Sequence, residues 1–373
     1  MGVIKEIADS SECQEIQGCI QCGVCTGACP LSEYGSLIPR KLIGMVREEL
    51  DEALDAFDKC LLCGQCQMFC PAAINIREVL LALRRGAFQM GKVPEGLQLA
   101  NEVLCESLNP YMMSRELRKE WIHSSGLEKY ASKKQSEVAY WVGCTASYMD
   151  ENHRIATAIA EILTKLNEDW ALIDEEWCCG MPFRYVGNSK KVREFAVHNV
   201  KELEKRGIQT VITGCPTCWY TLRSEYPKLL QQELGFKVMH VHEYLRNRIT
   251  DGKITVKRKK TERITLHDPC DLARNSMTHF SREIIARIAA NFVEMPLHGK
   301  DSLCCGLGGM LAAVDEELSR TIGVQRLRQA EAIGAEILVT SCAGCKLNLS
   351  EAVKQGESKV VVQDLTELLL SCI

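Results

Sequence analysis

The chain has 373 residues, 46% of them hydrophobic and 25% charged, which is ordinary for a soluble globular protein of two or three domains. A formal charge of -4 leaves no basic surplus for a nucleic-acid partner. No run approaches the roughly 18 apolar residues of a membrane span, so any membrane link is expected through a partner. The anomaly is the count of 21 cysteines. An odd total arranged in C-x2-C clusters argues against a secreted disulfide framework. The start, Met1-Gly2-Val3-Ile4-Lys5-Glu6-Ile7, lacks the apolar core of a signal peptide, and the expected location is a reducing, cytoplasmic compartment.

A short amphipathic lead-in over residues 1–12 precedes Cys13, which stands outside any motif. Next comes Cys19-Ile20-Gln21-Cys22-Gly23-Val24-Cys25-Thr26-Gly27-Ala28-Cys29-Pro30, a full C-x2-C-x2-C-x3-C-P run, and a second copy stands at Cys60, Cys63, Cys66, Cys70 and Pro71. In this spacing three thiolates of each run meet one cubane and the fourth reaches the other. Cys19, Cys22, Cys25 and Cys70 are therefore expected on one cluster, and Cys60, Cys63, Cys66 and Cys29 on the other. Zinc is the plain alternative for C-x2-C pairs, but two complete runs with a trailing proline favour iron–sulfur clusters. Helices are expected from Ile38 to Arg47, opened by Pro39, from Ile76 to Phe88, and over residues 94–122, where Cys105 reads as a small apolar core residue. The first 122 residues thus form a mainly helical two-cluster domain, and 123–137, with Ser124-Ser125-Gly126 and Lys133-Lys134, a linker.

From Val138 strands and helices alternate. Strands are expected at 138–142, 170–173, 210–213 and 238–241, with helices at 152–166, 192–206 and 219–233 between them. The pattern repeats with strands at 264–266, 337–340 and 360–362 and helices at 280–290, 316–333 and 346–354. The basic run Lys257-Arg258-Lys259-Lys260 reads as a solvated linker between halves 138–250 and 251–373. Such alternation implies parallel sheets covered on both faces, with ligands outside the carboxyl ends of the strands.

Those ends carry the second group of cysteines. Cys144, Cys178, Cys179, Cys215 and Cys218 recur as Cys270, Cys304, Cys305, Cys342 and Cys345, each 126 or 127 positions later. Five cysteines at a spacing kept in both copies exceed what core packing needs, since cysteine is kept for its reactivity more than its volume. Two metal-cluster sites are the expectation. Because four thiolates suffice for a cubane, the fifth suggests either an unusual cluster or a labile or spectator ligand. The glycines Gly180, Gly306, Gly308 and Gly309 would permit close backbone approach. Gly306-Leu307-Gly308-Gly309 lacks the spacing and lysine of a nucleotide loop. His267, Lys346, Arg184 and Arg274 lie close in sequence to these cysteines and are candidate proton donors or anion clamps, or else satisfied structural groups.

The duplicated pattern, with 33 residues from lone cysteine to pair and 35 or 36 more to the C-x2-C, resembles the cysteine-rich CCG domain of heterodisulfide reductases. Residues 138–373 resemble the catalytic subunit of those enzymes and residues 13–100 their ferredoxin-like subunit, fused as in the two-in-one, D-type form. The resemblance implies an α+β fold in which a ferredoxin-like helical domain precedes two α/β CCG halves with pseudo-two-fold symmetry. It implies a non-cubane [4Fe-4S] cluster on each five-cysteine set, besides the two cubanes, and reduction of the coenzyme M–coenzyme B disulfide with electrons from a flavin subunit, a ferredoxin or a membrane cytochrome b. A low-potential cluster can drive disulfide reduction, and two sites could bracket the S–S bond. Electron-relay subunits of quinone- or thiol-linked oxidoreductases share these motifs, several with one C-x2-C degraded. Here both are intact.

Overall fold

Apolar strand segments of four residues or so, punctuated by the cysteine loops, pair here into two sheets. The computed structural model describes residues 2–123, 125–131 and 133–373. Strands β1 (Val138–Trp141), β2 (Trp170–Leu172), β3 (Thr210–Thr213) and β4 (Lys237–His240) form a parallel sheet in the order β2-β1-β3-β4. Strands β5 (Lys260–Leu266), β6 (Ala289–Phe292), β7 (Ile337–Thr340) and β8 (Val361–Asp364) repeat it as β6-β5-β7-β8. The register repeats too: Tyr140 pairs with Ile212 in the first half, and Leu266 with Val339 in the second.

Alternation along the strands sorts side chains between two layers. Val138 and Tyr140 of β1, Ile264 and Leu266 of β5 and Ile337 and Val339 of β7 share one core, in which the two halves pack on each other. Ala139 and Trp141 face the opposite layer, with Cys144, Cys178, Cys179 and Cys218. The corresponding layer of the second half merges with the N-terminal domain: Leu61, Leu62 and Leu80 share a core with Leu311, Ile322, Cys304 and Cys305. The N-terminal domain is therefore fastened to the second half by common apolar packing as well as by polar contacts.

The N-terminal region is helical, as expected. Pro39 opens the helix Pro39–Arg47, and the Asn75 side chain accepts from the Glu78 amide at 3.3 Å to cap Ile76–Gln89. The fold class is α+β, with this helical region ahead of the duplicated α/β halves. Among the described residues no helix is long and apolar enough to cross a membrane.

Three expectations need correction. The helix expected over 94–122 stops at Ser107; Leu108 turns left-handed at φ +60 and Asn109 precedes Pro110, which disfavours helix at Asn109. The Asn109 amide donates to the carbonyls of Ser107 and Met113, each at 2.8 Å, and sets the turn. Leu104, Leu108, Tyr111 and Leu117 then pack on the first half rather than on the cluster domain. Second, the helix expected to reach 290 ends at Ile288, and Ala289–Phe292 is an edge strand. Third, the helix expected over 219–233 starts at Pro216, widens over Thr221–Glu225 and ends at Leu230. Of the expected linker 123–137, Ser124 and Ser132 lie outside the described residues, as does Met1; Tyr130 stacks on Trp170 at 4.4 Å between ring centroids.

Candidate metal centres

The two ferredoxin-type runs fold alike. In each, a non-glycine residue sits left-handed just before the second cysteine, Gln21 at φ +55 and Leu62 at φ +50, and a glycine follows it, Gly23 at φ +81 and Gly64 at φ +72. Left-handed residues are costly unless the surroundings demand them, and here they turn successive sulfurs inward. One cavity is lined by Cys19, Cys22, Cys25 and Cys70, walled by Ile43, Ile74 and Ile76. A second is lined by Cys29, Cys60, Cys63 and Cys66, walled by Leu31, Leu62 and Leu80. Each cavity thus draws three sulfurs from one run and the last from the other. Burial pushes the Cys60 thiol up to about 12 and the Cys63 thiol up to about 11, so apolar packing alone would leave them protonated. Four converging thiols in apolar walls suit a cationic iron–sulfide core that stabilises the thiolates.

In each half the five remaining cysteines form one line of sulfurs. Successive S–H···S bonds join Cys144, Cys178, Cys179, Cys218 and Cys215 in the first. They join Cys270, Cys304, Cys305, Cys345 and Cys342 in the second, in the same order. The middle thiol of each line is held down: bonds from Cys304 and then Cys345 bring Cys305 down to about 5, and bonds from Cys178 and then Cys218 hold Cys179 well below the ordinary thiol range. Cys215 and Cys342 cap helices, their sulfurs accepting from the amides of Cys218 at 3.5 Å and Cys345 at 3.4 Å. Gly306, at φ +100, lies where a Cβ would come 2.2 Å from the Ser319 carbonyl oxygen. No larger residue fits that turn. The donor chemistry, five soft thiols brought together in each half, fits a sulfur-ligated metal cluster in both.

The surroundings of the two lines differ. In the first, the buried Arg118 guanidinium lies 3.7 Å from Cys144 Sγ and is paired with Glu176. Glu176 also accepts from the amides of Val142 at 3.2 Å and Gly143 at 3.0 Å. In the second, a ring nitrogen of His267 lies within 4.8 Å of the sulfurs of both Cys305 and Cys345. Burial, with Arg326 next to it, pushes His267 down to about 3, so its ring is neutral.

The cluster domain meets the second line directly. Arg84 donates to the carbonyls of Cys60 at 2.9 Å and Gly309 at 2.7 Å, and a Cβ at Gly308 would come 2.5 Å from the Leu61 carbonyl oxygen. Arg274 Nε donates to the Cys63 carbonyl at 3.1 Å. Cys270 lies close enough to Cys63 to raise its cost of ionisation, and Cys63 close enough to Cys304 to do the same there. The two lines also touch across the junction between halves: Thr217 Oγ1 donates to Asp271 at 2.7 Å, and Arg77 of the cluster domain pairs with the same carboxylate at 3.2 Å. The half-buried Tyr185 lies near both Cys179 and Cys270.

Profiles of known families match along this architecture. That of the cysteine-rich domain, CCG, matches residues 138–223 and 264–350, and that of the 4Fe-4S dicluster domain matches residues 15–74. The D-type subunit of the dihydromethanophenazine:CoB–CoM heterodisulfide reductase of Methanosarcina barkeri is 31% identical, over 96% of this chain and 94% of its own length. The chain belongs to the family of D-type heterodisulfide reductase subunits. It is also 26% identical to the B-type subunit of the fumarate reductase (CoM/CoB) of Methanothermobacter marburgensis, over 97% of this chain and 73% of that one. Among solved structures, a hypothetical protein from Helicobacter pylori shares the fold, with a TM-score of 0.55 at 11% identity, covering 99% of this chain and 74% of that chain. As a member of this family the chain is an iron–sulfur oxidoreductase subunit that relays electrons through [4Fe-4S] clusters and works with redox partner subunits.

Of the four side chains singled out beside the cysteines, only His267 faces a sulfur line without a partner on one nitrogen. Lys346 is buried and holds Glu367 at 2.8 Å and the Glu151 carbonyl at 3.1 Å, tying the halves together. Arg184 pairs with Glu78 at 2.9 Å and with Glu225, and Arg274 is bound to the cluster domain; both are clamps between domains. Cys13 and Cys372 are buried apolar residues and Cys105 is half-buried. Sequence reasoning missed Arg118, Glu176, Arg77, Asp271 and Tyr185. Glu176 and Asp271 stand within two residues of motif cysteines and could have been flagged, whereas Arg118 and Arg77 arrive from elsewhere in the chain.

Proposed function

We propose that this chain reduces a disulfide, namely the coenzyme M–coenzyme B heterodisulfide or a related one, to two thiols. The groups it would hold are two cubane [4Fe-4S] clusters, which supply one-electron transfer, and two non-cubane [4Fe-4S] clusters, which supply sulfur-binding metal. Cys19, Cys22, Cys25 and Cys70 would hold one cubane, and Cys29, Cys60, Cys63 and Cys66 the other. The five-cysteine lines from Cys144 and from Cys270 would each hold a non-cubane cluster. Electrons from a flavin subunit, a ferredoxin or a membrane cytochrome b would reach the second line first, because the loops of Cys60 and Cys63 pack on it. The S–S bond of the substrate breaks on taking up two electrons and two protons, and each sulfur leaves as a thiol. Thr217, Asp271 and Arg77 keep the two lines in register across the junction.

The observation that carries this reading is the identical, complete order of five sulfurs in both halves. A pure conduit would need only one such site. The alternative is an electron-relay role in a quinone- or thiol-linked oxidoreductase, and the likeness to a fumarate reductase component speaks for it. The test is turnover of the coenzyme M–coenzyme B disulfide by anaerobically purified protein with a reduced viologen. Thiol release is the expected result; a protein replete in iron that releases none would favour the relay.

A further inference from the structure

On the layer that faces the sulfur lines, one position is equivalent in the two halves. Trp141 ends β1 three residues before Cys144, and His267 follows β5 three residues before Cys270, the same 126 positions apart as the cysteines they precede. Both side chains are fully buried, and both keep a ring nitrogen without a hydrogen-bond partner: Nε1 of Trp141 and Nε2 of His267. A buried N–H left unpaired is costly, and its recurrence at one register position argues against accident. Trp141 packs among Cys144, Cys178, Cys179 and Cys218, and His267 lies within 4.8 Å of Cys305 and Cys345.

That spacing would also suit a metal ligand, and the hydrogen bonding decides between the two roles. Arg326 Nε donates to His267 Nδ1 at 3.1 Å. A guanidinium has donors only, so Nδ1 is the accepting nitrogen and the proton of the neutral ring sits on Nε2. Arg326 is itself fixed by the Leu297 carbonyl at 2.9 Å and Ser302 Oγ at 3.3 Å. A protonated Nε2 has no lone pair for iron but can donate to sulfur.

We infer that His267 is a positioning residue whose Nε2–H donates to a sulfur of the cluster held by Cys270, Cys304, Cys305, Cys342 and Cys345, and raises that cluster's reduction potential. Hydrogen bonds to cluster sulfurs tune potential by stabilising the more negative, reduced state. The indole of Trp141 gives the first site a donor of the same kind, without an arginine behind it. The inference rests on the proposed occupancy of the second site by an iron–sulfur cluster.

The test is a redox titration of the whole, anaerobically purified chain, followed by the electron paramagnetic resonance signal that disappears in Cys305→Ala. His267→Leu should lower the reduced-to-oxidised ratio at fixed poise about tenfold, or about 59 mV for a one-electron couple. His267→Gln, which keeps an N–H donor, should stay within about threefold of wild type, and iron content should be the same in all three. An unchanged midpoint in His267→Leu with full iron overturns the inference alone. Absence of the signal from the wild type overturns the cluster reading and the inference with it. Should His267→Leu fail to fold, pulsed resonance on wild-type protein labelled with 15N-histidine decides. A weakly coupled nitrogen with an exchangeable proton supports the bond; a strongly coupled nitrogen, as from direct ligation, or no exchangeable proton at all overturns it.

Discussion

The two halves of the C-terminal region carry the same line of five sulfurs and set it in different company. The first line has a charged neighbour, Arg118, brought in from outside the repeat and balanced by Glu176. At the place of Glu176 in the second half stands Ser302, and the neighbour is a neutral imidazole with Arg326 behind it. The cluster domain meets the second line through Gly308, Gly309 and Arg274, and the first through the helix after Cys179, where Arg184 pairs with Glu78 and the Tyr185 carbonyl accepts from Arg84. The two halves thus share the five cysteines, whose loop geometry tolerates little change, and differ in the shell around them.

If both lines act on one disulfide, losing either should be nearly as damaging as losing both. Cys179→Ala and Cys305→Ala are each expected to lower heterodisulfide turnover almost as far as the double variant, because groups that act as a unit are non-additive. Substantial activity in either single variant would make the two sites unequal in kind as well as in setting. A smaller effect probes the charged company of the first line. Arg118→Leu leaves Glu176 buried without its cation, at a cost of about 3–5 kcal/mol. Iron should be lost from the first site and kept at the second, and adding Glu176→Gln should recover part of the loss; equal loss from both sites would deny the asymmetry.

Much of this was legible in the sequence because cysteine spacing encodes loop geometry. The three-plus-one exchange of Cys29 and Cys70, and the pairing of each lone cysteine with its CCG and C-x2-C partners, follow from spacings that few folds satisfy. The strands β1, β3, β5 and β7 were legible as apolar runs ending on a cysteine. The edge strand β6 was not, since Ala289-Ala290-Asn291-Phe292 has little β propensity and follows a helix without a break. Nor was the role of Arg118: its partners Cys144 and Glu176 lie 26 and 58 residues away, and no local pattern marks an arginine that will be buried.

The link between the cluster domain and the second line can be loosened on its own. Arg274→Ala removes the bonds to the Cys63 carbonyl and Gln65 while sparing every cysteine. Reduction of the second site through the cubanes should slow about tenfold by loss of positioning, measured by rapid mixing with reductant; the first site should be affected only through the second. The smallest effect concerns pH at the seam of the halves, where His242 Nδ1 meets Ser281 Oγ at 2.9 Å. Burial, and then the neighbouring His240, hold His242 well below its ordinary value. The unfolded chain therefore binds a proton that the native state refuses. The contribution is fully present above about pH 6.5 and is lost as pH falls below it, by about 1.4 kcal/mol per unit. His242→Asn should flatten the fall in denaturation midpoint between about pH 6 and 5; an unchanged slope would place that proton elsewhere.

The central claim is that both sulfur lines hold iron–sulfur clusters beside the two cubanes. Iron and acid-labile sulfide counted per chain in anaerobically purified protein, with Mössbauer spectra to separate cluster types, test it most directly. Four clusters give about 16 iron atoms per chain, with two sets of spectra distinct from cubanes. About eight iron atoms with stoichiometric zinc would contradict the account, leaving the ferredoxin-type sites as the chain's iron–sulfur centres.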